Sequence, residues 1–429
     1  MKWVSLLMFP LLGWAQSYEE VISRIDQAYA VQSAEQLEKA ALESYLSAQG
    51  QNLPSLKAEL SALKLNETPT VTFGNSPPTQ MGTRNKAVGE LVLTYPLFSG
   101  FAISGSVEKA RLNHEKAALQ TADLKRRLYL QATSLYAAAA AADTVITALE
   151  EAKKAIGGSY QKALGLYENG LLAPAALYAI EAKGYAIDAE LTAARNQKQS
   201  ALNRLSYLAG MEVKDPLLPS ASFLSASVGE IRESALQRRE DLMALAKAVG
   251  IARSDTVVAQ SRFYPTVVLS AALKRHGDTL ELNGDGYTNA DQSYAGIGAS
   301  WHLFDGFGDW HALQSSKAAE MAAFAAVEDY KRQISTEVDN TLLQLESARS
   351  KLQSAQMEAK AAAEYARLTE GRFENQLSSA DELSRAIADL AAAKAKVASL
   401  ESELFTLNIA LLLEGGLEFY RHRFLPSLD

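Results

Sequence analysis

A short aromatic motif occurs twice in the chain at a fixed distance, and this duplication limits the folds open to the chain more than any other feature. Residues 95–101 (YPLFSGF) recur as residues 301–307 (WHLFDGF), an offset of 206 because 301 − 95 = 206. Residues 167–171 (YENGL) recur at the same offset as residues 373–377 (FENQL). The sequence therefore predicts two structural repeats with the same order of elements.

Each repeat is predicted to contain a helix, two strands and two long helices. Pro54 and Pro265 each end a helix-favouring segment and begin an alternating one. They lie 211 positions apart, so one loop must differ in length between the repeats. The predicted β-hairpins cover about 54–98 and 264–304, and the predicted helical hairpins cover about 102–210 and 307–414.

The four predicted strands are each about ten residues long and alternate apolar with polar or small residues, as membrane-spanning strands do. In a barrel, the charged side chains on the polar face would line the lumen: Lys57, Glu59, Glu90 and Lys274. A half-buried antiparallel sheet in a soluble protein would show the same alternation, with these side chains as solvated charges. The strand pattern alone does not decide between the two.

The segments that follow the β-hairpins, 102–166 and 307–370, are almost free of proline and rich in alanine. At 1.5 Å per residue, a 65-residue helix extends about 98 Å, which exceeds the helices of a compact domain. Because alanine lets helices approach closely, these segments favour a wall of packed helices.

Residues 1–15 have the features of a secretory signal peptide: Lys2, an apolar run, and small residues at Gly13 and Ala15. The alternative is a short membrane anchor, although a spanning helix needs about 20 apolar residues. We expect no later helix to be apolar enough to span a membrane, and the alanine-rich run 135–142 comes closest. Export would then lead to the periplasm, the exterior or an outer-membrane β-barrel.

Composition and motifs argue against several classes of function. The net charge of −8 disfavours a nucleic-acid partner, and the absence of cysteine excludes disulfides and thiolate metal sites. The sequence has no GxxxxGK[ST] loop, no GxSxG elbow and no histidine pair at helical ligand spacing. We therefore expect no enzyme, no cofactor and no metal site.

Four strands are too few to close a membrane barrel, since the smallest have eight. An open sheet in lipid would leave two edges of unpaired backbone groups, each costing several kcal/mol. Copies of the chain must therefore share one barrel. Two copies would give eight strands and three would give twelve, and both satisfy the requirement.

In its duplicated plan, its proline-started first strands and the spacing of its motifs, nearly the whole mature chain resembles the TolC outer-membrane factor family. The resemblance implies a mixed α and transmembrane β fold. A trimeric 12-stranded outer-membrane β-barrel, with four strands per subunit, would continue into a long periplasmic α-helical barrel. The implied segments are a first repeat at 16–228 with an equatorial part at 211–228, a second repeat at 229–414, and a C-terminal equatorial tail at 415–429.

The resemblance also implies a passive conduit for export across the periplasm and outer membrane, in a tripartite efflux or type I secretion system. The partners would be two further copies of the chain, outer-membrane lipid, a periplasmic adaptor (membrane fusion protein) and an inner-membrane pump or ABC exporter. The chain would lie in the bacterial outer membrane and extend into the periplasm. The alternative is a soluble periplasmic coiled-coil scaffold or adaptor.

Three sets of site residues complete these expectations. The turns of the helical hairpins would contact the adaptor: Gly170, Leu171, Leu172, Gln376, Leu377 and Ser378. The passages between helices and strands would lie at Pro54, Gly100, Pro265 and Gly306. Asp381 and Glu382 would ring a periplasmic gate, or would only favour the first turn of a helix. Arg385, where relatives carry a second acid, departs from the gate pattern.

Overall fold

The computed structural model describes residues 17–219, 227–284 and 291–424. The signal peptide predicted at 1–15 lies outside them, as do parts of the segments 211–228 and 415–429. The first repeat forms helices α1 (Tyr18–Ile25) and α2 (Tyr29–Gly50), strands β1 (Ser55–Lys64), β2 (Thr70–Val71), β3 (Thr79–Gln80) and β4 (Asn85–Phe98), and helices α3 (Ala102–Glu168) and α4 (Pro174–Ala209). The second repeat forms α5 (Val228–Arg238), α6 (Glu240–Ser261), β5 (Thr266–Gly277), β6 (Asp291–Ser300), α7 (Gly308–Glu374), α8 (Ala380–Glu414) and α9 (Leu417–Phe424).

The elements of the two repeats correspond at two constant offsets, which confirms the predicted duplication. Helices α2 and α6 each have 22 residues and begin 240 − 29 = 211 positions apart. Helices α3 and α7 each have 67 residues and begin 308 − 102 = 206 positions apart. The first hairpin loop is the longer one, and it contains the short strands β2 and β3.

The helix predicted at the start of each repeat is interrupted. Helix α1 ends at Ile25 and α2 begins at Tyr29, while α5 ends at Arg238 and α6 begins at Glu240. At the second interruption Arg239 has extended backbone angles (φ −63°, ψ 125°). Nothing in the local helix propensity of these segments signals the interruptions, and tertiary contacts described below hold the second one in place.

Strands β1, β4, β5 and β6 form one antiparallel sheet in that order. The register of β4 with β5 shifts between Pro96 and Phe98, because proline has no N–H to donate to the ladder. Strand β6 ends at Ser300 rather than at the predicted 304. In the described chain β6 has one neighbouring strand, whereas β4 has two and continues to Phe98.

The chain folds as two compact units, and each unit draws on both repeats. Unit 1 comprises the residues up to Gln36, Leu119–Met243 and the residues from Asp329 onward, so it contains the helical hairpin turns. Unit 2 comprises Leu37–Ala118 and Ala244–Glu328, so it contains the sheet.

Two apolar clusters form the core of unit 1. In the first, Tyr18 of α1 packs edge-to-face against Tyr136 of α3, and its hydroxyl lies 2.6 Å from the Thr133 hydroxyl. The second joins α3, α4 and α8 through residues such as Ile180 and Leu383. Alanines of α3, including Ala137, are fully buried between these helices. Small side chains thus provide the close helix packing that the composition predicted.

Helix α3 contains a stretch that is long and apolar enough to cross a membrane, judged by length and composition alone. The expectation that no later helix would meet this criterion is therefore wrong. More than half of that stretch is buried inside the structure. The apolar character of α3 is accounted for by its position in the core of unit 1, where its alanines pack against neighbouring helices.

Candidate functional site

The four charged residues predicted to line a lumen share one face of the sheet. In an antiparallel ladder, directly opposite residues point to the same side. Glu59 lies opposite Glu90, and Glu90 lies opposite Lys274. Lys57, two positions before Glu59, points the same way and forms an ion pair with it. This face is therefore the charged one.

The other face of the sheet is exposed and apolar, apart from the Arg275–Asp291 ion pair near the hairpin loop. Leu56 lies opposite Leu93, and Leu93 lies opposite Ala271. Two positions further along, Leu91 lies opposite Leu273. Leu56 and Leu273 are 66% and 63% exposed. An apolar sheet face of this kind is unsuited to water and suited to the hydrocarbon of a membrane.

Both edges of the sheet are open in the described chain. All ten residues of β1 and all ten residues of β6 are exposed. Their outward backbone groups have no strand beside them within the described residues. Exposed edges of this length are normally covered or paired with another strand.

The predicted passages between strand and helix lie at the element boundaries. Pro54 directly precedes β1 and Pro265 directly precedes β5. Gly100 and Gly306 have φ of +62° and +72°, and the phenylalanine after each also has positive φ. These left-handed residues turn the chain between the end of a hairpin and the start of α3 or α7, and only glycine adopts such angles without strain.

The turns of the helical hairpins lie where the sequence predicted them, between α3 and α4 and between α7 and α8. They share one backbone hydrogen-bond pattern. The Leu171 N–H donates to the Leu166 carbonyl, and the Leu377 N–H donates to the Arg372 carbonyl, both at 2.8 Å. Leu171 and Leu377 are 65% and 68% exposed. Each turn therefore presents an uncovered leucine.

Glu382, one of the two gate candidates, is held by three side chains of its own hairpin. The Ser378 hydroxyl donates to Oε2 at 2.7 Å, and the Tyr365 hydroxyl and Arg372 Nη1 both reach Oε1 at 3.4 Å. The Ser378 hydrogen bond, helped by the charge of Arg372, holds the pKa of Glu382 below its usual value. Glu382 is therefore negatively charged at neutral pH.

Asp381 forms an ion pair with Arg385 one helical turn later, at 2.6 Å. Both acids stand in the first turn of α8, whose N-terminus is capped by Ser379. A negative charge is favourable there, so the helix-terminus interpretation describes their local setting. Sequence analysis did not identify Tyr365 and Arg372 as partners of Glu382, because the hydrogen bonds depend on how the turn folds back.

A buried cluster of charged side chains in unit 1 was also not predicted. We name it the Arg239 cluster, and it joins α3, the interruption between α5 and α6, α7 and the end of α8. Its members are Asp123, Arg126, Arg239, Glu240, Asp241, Tyr330, Glu337 and Glu414. The only sequence signal was the run of four charged residues from 238 to 241 inside a helical pattern.

Arg239 lies at the centre of this cluster, and its side chain is only 5% exposed. It donates to Asp241 at 3.0 Å, to Glu337 at 2.9 Å and to Glu414. Arg126 donates to Asp241 from the opposite helix at 3.1 Å. These bonds satisfy buried charges that would otherwise be costly, and they hold the α5–α6 interruption in place.

The carboxylates of the cluster respond to burial in different ways. Burial raises the pKa of Glu240 and of Glu414 above the ordinary glutamate value. Burial alone would also raise the pKa of Asp241, but hydrogen bonds from Arg239 and Tyr330 lower it. Glu240 Oε1 accepts the Leu417 N–H at 2.8 Å, while Oε2 lies 3.8 Å from Arg126 Nε.

No group of three or more histidine and acidic side chains in the described ranges is arranged to hold a metal ion. The geometry instead contains a two-faced sheet with open edges, long helical hairpins and exposed hairpin turns. This combination fits a membrane conduit better than a catalytic pocket.

Comparison with protein families agrees with this geometry. Residues 24–211 and 231–413, one segment in each repeat, match the model of the outer membrane efflux protein family. The chain belongs to the outer membrane efflux protein family. Its place is the outer membrane and its function is that of an outer-membrane efflux channel protein, so the soluble scaffold alternative is not supported.

Solved structures share the fold of this efflux protein at low sequence identity. The outer membrane protein VceC from Vibrio cholerae has a TM-score of 0.79 and 19% identity, with 93% of this chain and 96% of that chain covered. The CmeC outer membrane channel from Campylobacter jejuni has a TM-score of 0.80 and 13% identity, with 93% and 85% covered. The open state of the Neisseria gonorrhoeae MtrE outer membrane channel has a TM-score of 0.74 and 16% identity, with 93% and 88% covered. No curated protein matches the chain. The predicted TolC-like fold is confirmed.

Proposed function

We propose that three copies of this efflux protein share one 12-stranded barrel and form the outer-membrane duct of a tripartite efflux or type I secretion system. The duct is a passive conduit without catalytic activity, and an inner-membrane pump or ABC exporter drives transport through a periplasmic adaptor. The observation that carries the proposal is the sheet: one apolar face, one charged face and two open edges. In lipid, such edges must be paired with another strand.

The first test is the native mass of the full-length protein extracted from membranes. Extraction only by detergent and a mass of three mature chains are expected, followed by ion conductance in planar bilayers. Release of a monomer or dimer by alkali without detergent would contradict the shared barrel.

The exposed leucines of the hairpin turns support a contact with the adaptor. Replacing Leu171 and Leu377 with aspartate places a charge in an apolar contact, so export in cells that depend on this protein should be lost while the trimer persists. Leu280→Asp is the matched control, because Leu280 is equally exposed, at 66%, but belongs to unit 2. Equal export by both variants would contradict the contact.

Asp381 and Glu382 are proposed to set cation preference at the periplasmic end. Three copies would bring six carboxylates together, and a ring of acids favours cations. Replacing both with Asn and Gln should shift the bilayer reversal potential toward zero and weaken divalent block. Asp389→Asn, an exposed acid further along α8, is the control. An unchanged reversal potential in the double variant would leave only the helix-terminus role.

A further inference from the structure

We infer that β6 of one copy pairs with β1 of the next copy in one defined register, with Gly298 opposite Ser61 and Ile297 opposite Ala62. This inference rests on the proposed function, because it requires that copies share a barrel. It goes further by naming the residues that meet at the junction between copies. Three independent features of unit 2 lead to it.

The first feature is the order of strands. Within the chain, the second strand of the first repeat (β4) pairs with the first strand of the second repeat (β5). The two open edges are the second strand of the second repeat (β6) and the first strand of the first repeat (β1). Joining them across copies therefore repeats the β4–β5 junction, in the same antiparallel sense.

The repeat offsets can be checked on pairings that the structure contains. Ser55 of β1 is opposite Thr94 of β4. Adding 211 to the number of the β1 residue and 206 to the number of the β4 residue gives Thr266 and Ser300. These two residues are also opposite each other. The offsets therefore carry a register correctly from one repeat to the other.

The same offsets, applied to the β4–β5 junction, give the register between copies. Val92 is opposite Ala272, and Leu91 is opposite Leu273. Adding 206 to the number of the β4 residue gives a residue of β6, and subtracting 211 from the number of the β5 residue gives a residue of β1. The first pair thus becomes Gly298 and Ser61. The second pair becomes Ile297 and Ala62.

The second feature is a difference between the equivalent glycines. A Cβ on Gly100 would lie 2.5 Å from the Ser261 carbonyl oxygen and 2.9 Å from Tyr264 Cβ, so this glycine is packed against the end of α6. A Cβ on Gly306 would meet no atom within 4 Å in the described chain. Gly100 is therefore packed against the end of a helix, whereas Gly306 has no such contact in the described chain.

The repeat shows what the missing neighbour is. Moved back by 211, Ser261 and Tyr264 correspond to Gly50 and Leu53, at the end of α2. Leu53 is 65% exposed, whereas Tyr264 is 39% exposed. In the inferred register, Leu53 of the next copy packs beside Gly306, and both open surfaces are covered at once.

The third feature is the early end of β6. Its repeat equivalent β4 continues to Phe98, where it pairs with Val267 of β5. The equivalent pair between copies is Phe304 with Leu56. Residues 301–304 therefore extend β6 once the next copy supplies β1, which accounts for the strand end predicted at 304 from the sequence.

Disulfide trapping tests the register directly, because the chain has no cysteine of its own. Opposite residues in an antiparallel pair have Cα atoms about 4.5–5.5 Å apart, within the range of a disulfide. A slip of two residues displaces the two cysteines by about 6.7 Å along the strand. It increases their Cα separation to about 8 Å, which is too far for a disulfide. A slip of one residue puts the side chains on opposite faces.

The matched variants are Gly298→Cys with Ser61→Cys on the charged face, and Ile297→Cys with Ala62→Cys on the apolar face. Two faces are used because hydrogen-bonded and non-hydrogen-bonded pairs lie on opposite faces. The control variants keep Gly298→Cys and move the second cysteine to Glu59 or Leu63. Membranes carrying the full-length protein are oxidised mildly and analysed on non-reducing gels.

A shift from the one-copy band to bands of two and three copies is expected for matched variants, with no shift for the controls. Cross-linking of a control instead of the matched pairs would overturn the register but keep the shared barrel. A native trimer without any cross-link would overturn the β6–β1 pairing itself. A monomer without cross-links would overturn the proposed function as well. Bands ending at two copies would keep the register but contradict the trimer.

Discussion

Replacing Arg239 with methionine should destabilise the protein strongly, and the loss should depend on pH. Arg239 is nearly fully buried and bonds to Asp241, Glu337 and Glu414. Methionine keeps most of the apolar volume but removes the charge. Asp241 retains Arg126 and Tyr330, whereas Glu414 loses Arg239, the stronger of the two arginines whose charges lower its pKa. Removing one partner of a buried ion pair costs about 3–5 kcal/mol, which is the expected loss.

The direction of the pH effect follows from Glu414. Burial already raises its pKa, and loss of Arg239 raises the pKa further. A carboxyl whose pKa is raised by folding makes a contribution that is lost as pH rises through the folded pKa. The deficit of the variant relative to wild type should therefore be largest near about pH 8 and smaller near about pH 5.

Urea unfolding in mild detergent, followed by far-ultraviolet circular dichroism at both pH values, measures this difference. Arg232→Met is the matched control. It removes an arginine of α5 that also pairs with an acid of α7, but this pair is 45% and 53% exposed. Exposed pairs contribute less than about 1 kcal/mol. The reasoning would be refuted by equal losses for the two variants, or by an Arg239→Met deficit that does not change with pH.

Two further substitutions test single contacts. Glu240→Gln removes a buried carboxyl whose raised pKa makes the fold less stable as pH rises, while Oε1 can still accept the Leu417 N–H. The free energy of unfolding of this variant, measured relative to wild type, should therefore be higher at about pH 8 than at about pH 5. The difference should change by up to about 1.4 kcal/mol per pH unit within the titration window. Glu233→Gln, which removes an exposed acid of α5, is the control, and a parallel trend in both variants would contradict burial as the cause. Gln376→Gly relieves a positive φ of +60° and should stabilise the protein by about 1 kcal/mol, whereas Gln353→Gly inside α7 should destabilise it by about the same amount. Thermal unfolding checks both, and equal destabilisation would contradict the strain at Gln376.

The elements that sequence analysis predicted were those with strong local signals. Pro54 and Pro265 mark the strand starts because proline ends a helix, and Pro174 opens α4 at its first residue, where a missing N–H costs nothing. The alternation of the strands fixed which residues share a face, and the register bears this out for Glu59, Glu90 and Lys274.

Features that depend on distant partners were not predictable in this way. The helix interruption at Arg239 is held by acids on α7 and α8, about 100 to 175 positions away. The end of β6 depends on whether a neighbouring strand is present, so its sequence motif matches β4 while its described structure stops at Ser300. Local propensity is informative only where the local chain determines the conformation.

The two hairpin turns have the same backbone hydrogen bonds but different side-chain contacts. Their hydrogen-bond patterns are equivalent, yet the polar contacts of Glu382 exist in the second turn alone. At the offset of 206, the positions of Ser378, Arg372 and Tyr365 are Leu172, Leu166 and Ser159, and Glu382 itself corresponds to Ala176. The first turn therefore has no carboxylate at the position of Glu382. A charge at this position of the hairpin is present in the second repeat alone, while both turns keep an exposed leucine for apolar contact. The two repeats therefore share the backbone geometry of the turn but differ in the charge at the start of the helix that follows it.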